Sequence, residues 1–170
     1  MRPQRHIPRL CHKTALVAVL LIWSSTFGVA SPSPQPLSPQ APVDKPVSIG
    51  NAEQTRKFEA AIAPYVKQAK ATLPQAKTRF LAGLPKGDHF LVTIRMYDAG
   101  GQFEQVFVGV TSWEGQTIHG ILASDTPIIH RRPSEVVTCK EQDVLDWTIS
   151  QADGTEEGNF VGKFLDTYKP

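Results

Sequence analysis

The residues that could carry chemistry are few and lie in the second half of the 170-residue chain. Glu104 stands in a strand-like run rich in Val and Phe, where alternation places it beside Val106 and Val108. A carboxylate on an apolar face must be paired, protonated or at a sheet edge. Asp146 precedes Trp147. This pair of an acid and an indole could form a platform for a ligand, or the acid could lie next to a turn while the indole ring covers the core. Glu104 and Asp146 are therefore the candidates for general acid and base.

Two further polar side chains are candidates for a binding site. His119 lies between Ile118 and Gly120 in a strand-like run, where a structural or half-exposed role competes with a catalytic one. Asn159 could close the rim of a pocket or form a turn. The sequence has no Gly-x-Ser-x-Gly elbow, phosphate loop, dinucleotide fingerprint or metal-ligand spacing of His and Cys. We therefore assign no catalytic residue, metal or cofactor. The candidate binding residues are Glu104, His119, Asp146, Trp147 and Asn159.

The charge of the chain is unevenly distributed. Lys and Arg number 18 against 16 Asp and Glu, which gives a formal net charge of +2. The first 30 residues hold four of the basic residues and none of the acidic ones. The remainder is slightly acidic and has no basic stripe, so nucleic acid is excluded as a partner class.

Residues 1–30 have the basic, apolar and small-residue order of a secretory signal peptide, with cleavage expected after Ala30. The apolar run Ala15–Trp23 has nine residues, whereas a membrane-spanning helix takes roughly 20. The sequence thus predicts a periplasmic or secreted protein with no stable membrane span after cleavage. Retention of the segment as an anchor is the alternative.

Residues 31–50 form a proline-rich leader, with six prolines between Ser31 and Pro46. Such a composition favours extended polyproline conformations and contributes almost nothing to a core. It could act as a spacer or be a tail left after processing. A single domain is predicted over residues 51–170. Its one cysteine, Cys139, precludes an internal disulfide and is interpreted as a small buried apolar side chain.

Two helices are predicted at the start of this domain. Asn51 with Gln54 resembles a capping box. Apolar residues then recur at spacings of three and four from Phe58 to Leu73. Pro64 should kink or restart this helix, and Pro74 should open a second helical segment.

After Gly87 the hydrophobic period changes from helical to two, which indicates strands separated by turns at Gly100–Gly101 and Glu114–Gly115. The fold class is predicted to be α+β, with N-terminal helices packed on a mostly antiparallel, curled meander or partial barrel. The predicted strands are Phe90–Met96, Phe103–Trp113, Thr117–Ala123, Glu135–Cys139, Val144–Ile149 and Phe160–Leu165.

The order of several short motifs between residues 52 and 166 resembles the YegJ-like family of uncharacterised bacterial proteins. The resemblance implies a small exported α+β domain of unknown function without established catalytic residues. The family's strand motif Glu-His-x-Trp is replaced here by Glu104-Gln105-Val106-Phe107. The motifs are residues 69–74, Phe80-Leu81, Glu104 and Phe107, residues 120–122 with Asp125 and Pro127, residues 144–147 and residues 158–160.

These observations predict a non-enzymatic binding or protein-interaction module, for example an inhibitor or immunity-type protein. Its partner would be a protein or small-molecule ligand in the cell envelope. One alternative is a small hydrolase or lyase that uses Glu104 and Asp146 as acid and base, and another is a structural envelope protein. The relative position of the two carboxylates discriminates the enzyme from the others, because a single substrate must reach both.

Overall fold

The computed structural model describes residues 51–132 and 134–169. The predicted signal peptide (1–30) and leader (31–50) lie outside the described residues. The elements in chain order are α1 (Ala52–Ala82), β1 (His89–Tyr97), β2 (Phe103–Glu114), β3 (Thr117–Leu122), β4 (Val136–Lys140), a 3₁₀ turn (Glu141–Asp143), β5 (Asp146–Ser150), β6 (Glu156–Gly158) and α2 (Phe160–Leu165).

The strands form one six-stranded sheet with the order β4-β3-β2-β1-β5-β6. Every neighbouring pair is antiparallel, and the sheet does not close. β1 to β4 form the predicted meander, after which the chain returns and β5 pairs with the free side of β1. The α+β class with a mostly antiparallel sheet is therefore confirmed. β6, which the sequence did not predict, pairs with β5 and adds a short edge strand.

α1 is one continuous helix where the sequence predicted two. The side-chain oxygen of Asn51 accepts a hydrogen bond from the backbone N–H of Gln54 at 2.9 Å, as the capping pattern indicated. Pro64 and Pro74 both lie inside the helix, so the prediction that Pro74 opens a second segment is wrong. Both prolines are exposed. Because they face solvent, the carbonyls that lose a helical donor remain accessible to water.

One face of the sheet, the helix face, carries the main core. Alternation along β1 and β2 directs their apolar side chains to this face, and small residues of α1 let the helix approach closely. The buried members include Ala69, Leu73 and Ala76 from α1, Phe90, Val92 and Ile94 from β1, Val106 and Val108 from β2, and Trp147 and Ile149 from β5. The opposite side of the sheet, the outer face, is occupied by the alternate residues, including Leu91, Gly109, His119, Ile121, Val136 and Thr148.

Residues Phe160–Leu165 form α2, so the prediction of a last strand is wrong. Its Val161 joins Phe58 and Ile62 of α1 in a second, smaller cluster. Tyr65 of α1 stacks on Phe164, with ring centroids 4.4 Å apart. Short apolar runs fit a strand or a helix equally well by pattern. Packing against the first half of α1 decides for the helix.

None of the helices in the described residues is both long and apolar enough to cross a membrane.

Candidate functional site

Glu104 anchors a loop. It lies on the helix face of β2, and its Oε2 accepts hydrogen bonds from the backbone N–H groups of Ile128 and Ile129 at 3.2 and 3.0 Å. These residues belong to the loop between β3 and β4, residues 123–135. The carboxylate is thus paired at the end of the apolar face, which satisfies one of the conditions that the sequence set. Because one carboxylate oxygen accepts these two backbone hydrogen bonds, the geometry favours a structural role for Glu104.

Asp146 is buried, with 1% of its surface exposed. Its Oδ1 accepts from the backbone N–H of Trp147 at 2.8 Å, and its Oδ2 accepts from the N–H of Val161 at 2.6 Å. Burial raises the pKa of Asp146 from 3.8 to about 6, while the backbone donors oppose that shift. The carboxylate therefore joins β5 to the first turn of α2. It has no exposed surface with which to meet a ligand.

Trp147 belongs to the core on the helix face. Its ring is stacked on Phe90, with a centroid distance of 6.1 Å and an interplanar angle of 15°. The indole N–H donates to the hydroxyl of Thr72 in α1 at 3.0 Å. Of the two roles that the sequence allowed, the geometry favours the core-covering ring over the ligand platform.

His119 and Asn159 occupy separate places. His119 Nδ1 lies 3.0 Å from Thr138 Oγ1, its neighbour on β4, and both side chains are on the outer face. Asn159 adopts left-handed backbone angles, φ 52° and ψ 46°, at the start of α2. Its Nδ2 donates to Glu156 Oε2 at 2.6 Å. This arrangement corresponds to the turn alternative for Asn159.

The five candidate residues do not form one site. Glu104 is opposite Met96 on β1, whereas Asp146 is opposite Thr93 on the same strand. Met96 and Thr93 are three residues apart, so their side chains, and the two carboxylates with them, lie on opposite faces of the sheet. The expectation that Glu104 and Asp146 could serve one substrate as acid and base is corrected by this register.

Cys139 is half-buried on β4. Burial, together with the nearby charge of Asp143, raises the pKa of its thiol to about 11. The thiol is therefore protonated at neutral pH and a poor nucleophile. Within residues 51–132 and 134–169, no three His, Cys, Asp or Glu side chains gather as a metal-binding group.

A surface that the sequence analysis did not single out is the edge formed by β4. Two backbone hydrogen bonds lie at the ends of the ladder between β3 and β4: the N–H of Leu122 donates to the carbonyl of Glu135, and the N–H of Glu141 donates to the carbonyl of Gln116. These bonds show which residues of β4 are hydrogen-bonded to β3. In an antiparallel ladder, every second residue directs both its N–H and its C=O away from the partner strand. The residues that point outward are Val136, Thr138 and Lys140.

The β3–β4 loop places positive charge beside this edge. His130, Arg131 and Arg132 line a shallow hollow of about 560 Å³ together with Ser134 and Glu135. Arg131 forms an ion pair with Glu135, whose pKa is lowered chiefly by the hydrogen bond from this guanidinium. Arg132 also acts on Glu135, since its charge contributes to the lowered pKa of that carboxyl. The Arg131-Arg132 pair in the sequence was the available signal for this basic surface.

Comparisons with protein-family models, with curated proteins and with solved structures find no match to this chain. The resemblance to the YegJ-like family therefore stays a prediction.

Proposed function

We propose that this protein is an exported, non-enzymatic interaction module that binds an extended segment of a partner protein along β4. The observation that carries the proposal is the free edge of β4 in the described part of the chain. An added strand would use the outward N–H and C=O groups of Val136, Thr138 and Lys140. Main-chain pairing of this kind gives affinity without a nucleophile or an acid–base pair.

The surroundings of β4 support this proposal. Sheet edges are commonly protected by proline, bulges or inward charges. β4 has no proline and no bulge and its register with β3 is unshifted, although it is only five residues long and ends in Lys140, a charge of the kind that protects edges. Val136 is 70% exposed and offers an apolar contact. Arg132, in the loop four residues before β4, favours a partner segment with an acidic residue near that end of the strand. An inhibitor or immunity-type protein that pairs with its target is one form of this function.

The edge proposal is tested with a random linear peptide library displayed on phage and the mature chain, residues 31–170, as bait. Thr138→Pro removes an outward N–H but no bond to β3, so the variant should remain folded. Thr138→Ala is the matched control because it keeps that N–H. Recovered peptides should bind the wild type and Thr138→Ala and lose at least about tenfold in affinity for Thr138→Pro, the loss expected from about 1.4 kcal/mol. A library without binders, or binders indifferent to Thr138→Pro, would contradict the proposal.

Export is tested separately. The order of basic, apolar and small residues in positions 1–30 supports a cleaved signal. Amino-terminal sequencing of protein from an osmotic-shock fraction should begin near Ser31. Recovery of the intact chain only in membranes would instead assign residues 1–30 to a retained anchor.

A further inference from the structure

The free edge of β4 begins at the hollow of the β3–β4 loop, here called the basic hollow. Val136 is the first residue of β4 and directs its N–H and C=O outward. Before it, the main chain bonds back to the protein: the N–H of Ser134 donates to the Leu122 carbonyl at 3.2 Å. The N–H of Glu135 donates to the Arg132 carbonyl at 3.1 Å. Main-chain pairing along the edge therefore stops at Val136, and the basic hollow lies next to that point. Its lining residues are His130, Arg131, Arg132, Ser134 and Glu135.

Two side chains hold the backbone of this loop in place. Thr126 is buried, its carbonyl accepts from the N–H of His130 at 2.8 Å, and its hydroxyl oxygen accepts from the N–H of Arg131 at 2.9 Å. The same hydroxyl donates to the Arg131 carbonyl at 3.1 Å. Glu104 holds the two preceding N–H groups, those of Ile128 and Ile129. Because this backbone is already fixed, a ligand in the basic hollow does not have to order it, which lowers the cost of binding.

The charge of the basic hollow matches a carboxylate. Arg131 donates to the carboxylate of Glu135 from Nε at 3.0 Å and also from Nη2. Arg132 contributes less than Arg131 to the lowered pKa of Glu135. Two guanidinium groups and one carboxylate leave a net charge of +1 when His130 is counted as neutral. A carboxylate carries one negative charge, whereas a phosphate group carries about 1.5 to 2.

The opposite end of the edge is acidic. Lys140, the last residue of β4, donates from Nζ to Thr117 Oγ1 on β3 at 2.9 Å. The 3₁₀ turn that follows contains Glu141, which pairs with Lys77, and Asp143, which is exposed. A strand that runs antiparallel to β4 brings its C-terminal end to the basic hollow and its N-terminal end to this acidic turn. Both the charges and the greater stability of antiparallel pairing favour this direction over the parallel one.

We propose that the basic hollow binds the C-terminal α-carboxylate of a partner segment that pairs antiparallel to β4. This inference rests on the proposed pairing along β4 and specifies which part of the partner is recognised. The α-carboxylate would lie one or two residues past the position opposite Val136, roughly 3–7 Å along the strand. The donors that it would meet are the guanidinium of Arg132, the imidazole of His130 and the hydroxyl of Ser134.

The direction of a strand favours its terminus over an acidic side chain as the source of this carboxylate. Side chains in a strand stand roughly perpendicular to the sheet, whereas the end of the main chain continues along the strand axis. The residues of the basic hollow directly precede β4, so they lie beyond the end of the edge rather than above or below it. We therefore assign the basic hollow to the terminal carboxylate.

The test uses the mature chain, residues 31–170, and a phage library whose random peptides end in a free carboxylate. Recovered peptides are synthesised as free acids and as C-terminal amides. The acid should bind the wild type at least about tenfold more tightly than the amide, the effect of one charge-assisted hydrogen bond. Arg132→Gln should bind the two forms about equally. Arg56→Gln is the matched control, because it removes an exposed arginine of α1 and changes the net charge equally, and it should keep the preference for the acid.

Two further measurements address the charge and the direction. Glu135→Gln releases Arg131 and makes the basic hollow more positive, so the acid should gain affinity and the amide should not. A spin label on the N-terminal residue of the peptide should broaden the backbone amide signals of Lys140 and Asp143 in NMR spectra. It should leave those of His130 and Arg132 unchanged. Broadening at His130 and Arg132 instead would show a parallel strand and overturn the inference.

The outcomes separate this inference from the β4 proposal. Peptides that lose affinity for Thr138→Pro but bind equally well as acid and amide would overturn the carboxylate assignment and leave the β4 proposal intact. A preference for the acid that persists in Arg132→Gln would also overturn the assignment. A preference that Arg132→Gln abolishes and Thr138→Pro leaves unchanged would support carboxylate binding and overturn the β4 proposal. If the library with free carboxylates yields no binders, the inference fails, and the β4 proposal fails with it only if its own library is also empty.

Discussion

Asp146→Asn tests the balance of forces at the most deeply buried carboxylate described. Burial raises the pKa of Asp146 from 3.8 to about 6 against the pull of its backbone donors. The folded state therefore binds this proton more tightly than the unfolded state. The favourable contribution of Asp146 to the free energy of unfolding is fully present below about pH 4. It is lost as the pH rises to about 6, and the stability does not change further with the titration of this group above that pH. A shift of about two units corresponds to about 3 kcal/mol in the free energy of unfolding.

The assay is urea unfolding of the wild type and Asp146→Asn at several pH values from 4 to 7.5. Asparagine does not titrate, so the other carboxylates cancel in the difference between the two proteins. As the pH rises, the free energy of unfolding of the wild type should fall relative to that of Asp146→Asn by up to about 3 kcal/mol. Asp153→Asn is the control: hydrogen bonds from Thr155 lower the pKa of Asp153, so its contribution to stability is lost only below about pH 4 and the difference from the wild type should stay nearly constant over the range of the assay. A difference for Asp146→Asn that does not vary with pH would refute the reasoning and mean that the backbone donors fully offset desolvation.

Three other substitutions probe the packing of the domain. Trp147→Ala should lower the free energy of unfolding by about 3–5 kcal/mol, as truncation of a core aromatic does; Trp147→Phe should lose less, and a near-wild-type denaturant melt of Trp147→Ala would contradict the core assignment. Gly158→Ala should destabilise strongly, because Gly158 has φ +76° and a Cβ there would collide with the Trp147 carbonyl oxygen; an unchanged melting temperature would argue against this turn geometry. Pro74→Ala should raise stability by about 1–3 kcal/mol, because it restores a helical donor for the Lys70 carbonyl; a lower melting temperature would show that the helix depends on the proline.

The sequence by itself determined features that depend on neighbours along the chain. The Asn51 cap, the alternation of Phe90, Val92 and Ile94, and the turn at Gly115 follow from local backbone preferences and the period of the apolar residues. These features are enough to predict the α+β class and the first hairpins. For Trp147 the sequence allowed both a core-covering ring and a ligand platform, and the packing on Phe90 with the hydrogen bond to Thr72 favours the core.

Only the tertiary structure decided which features pack together. The continuity of α1 through Pro74 and the helical state of Phe160–Leu165 depend on the surfaces that these segments bury against. The separation of Glu104 from Asp146 depends on strand register, which cannot be counted along a chain whose fifth strand returns to pair with the first. Local propensities differ by less than about 1 kcal/mol per residue, whereas burying one large side chain contributes about 1.5–3 kcal/mol, so packing decides where the two disagree.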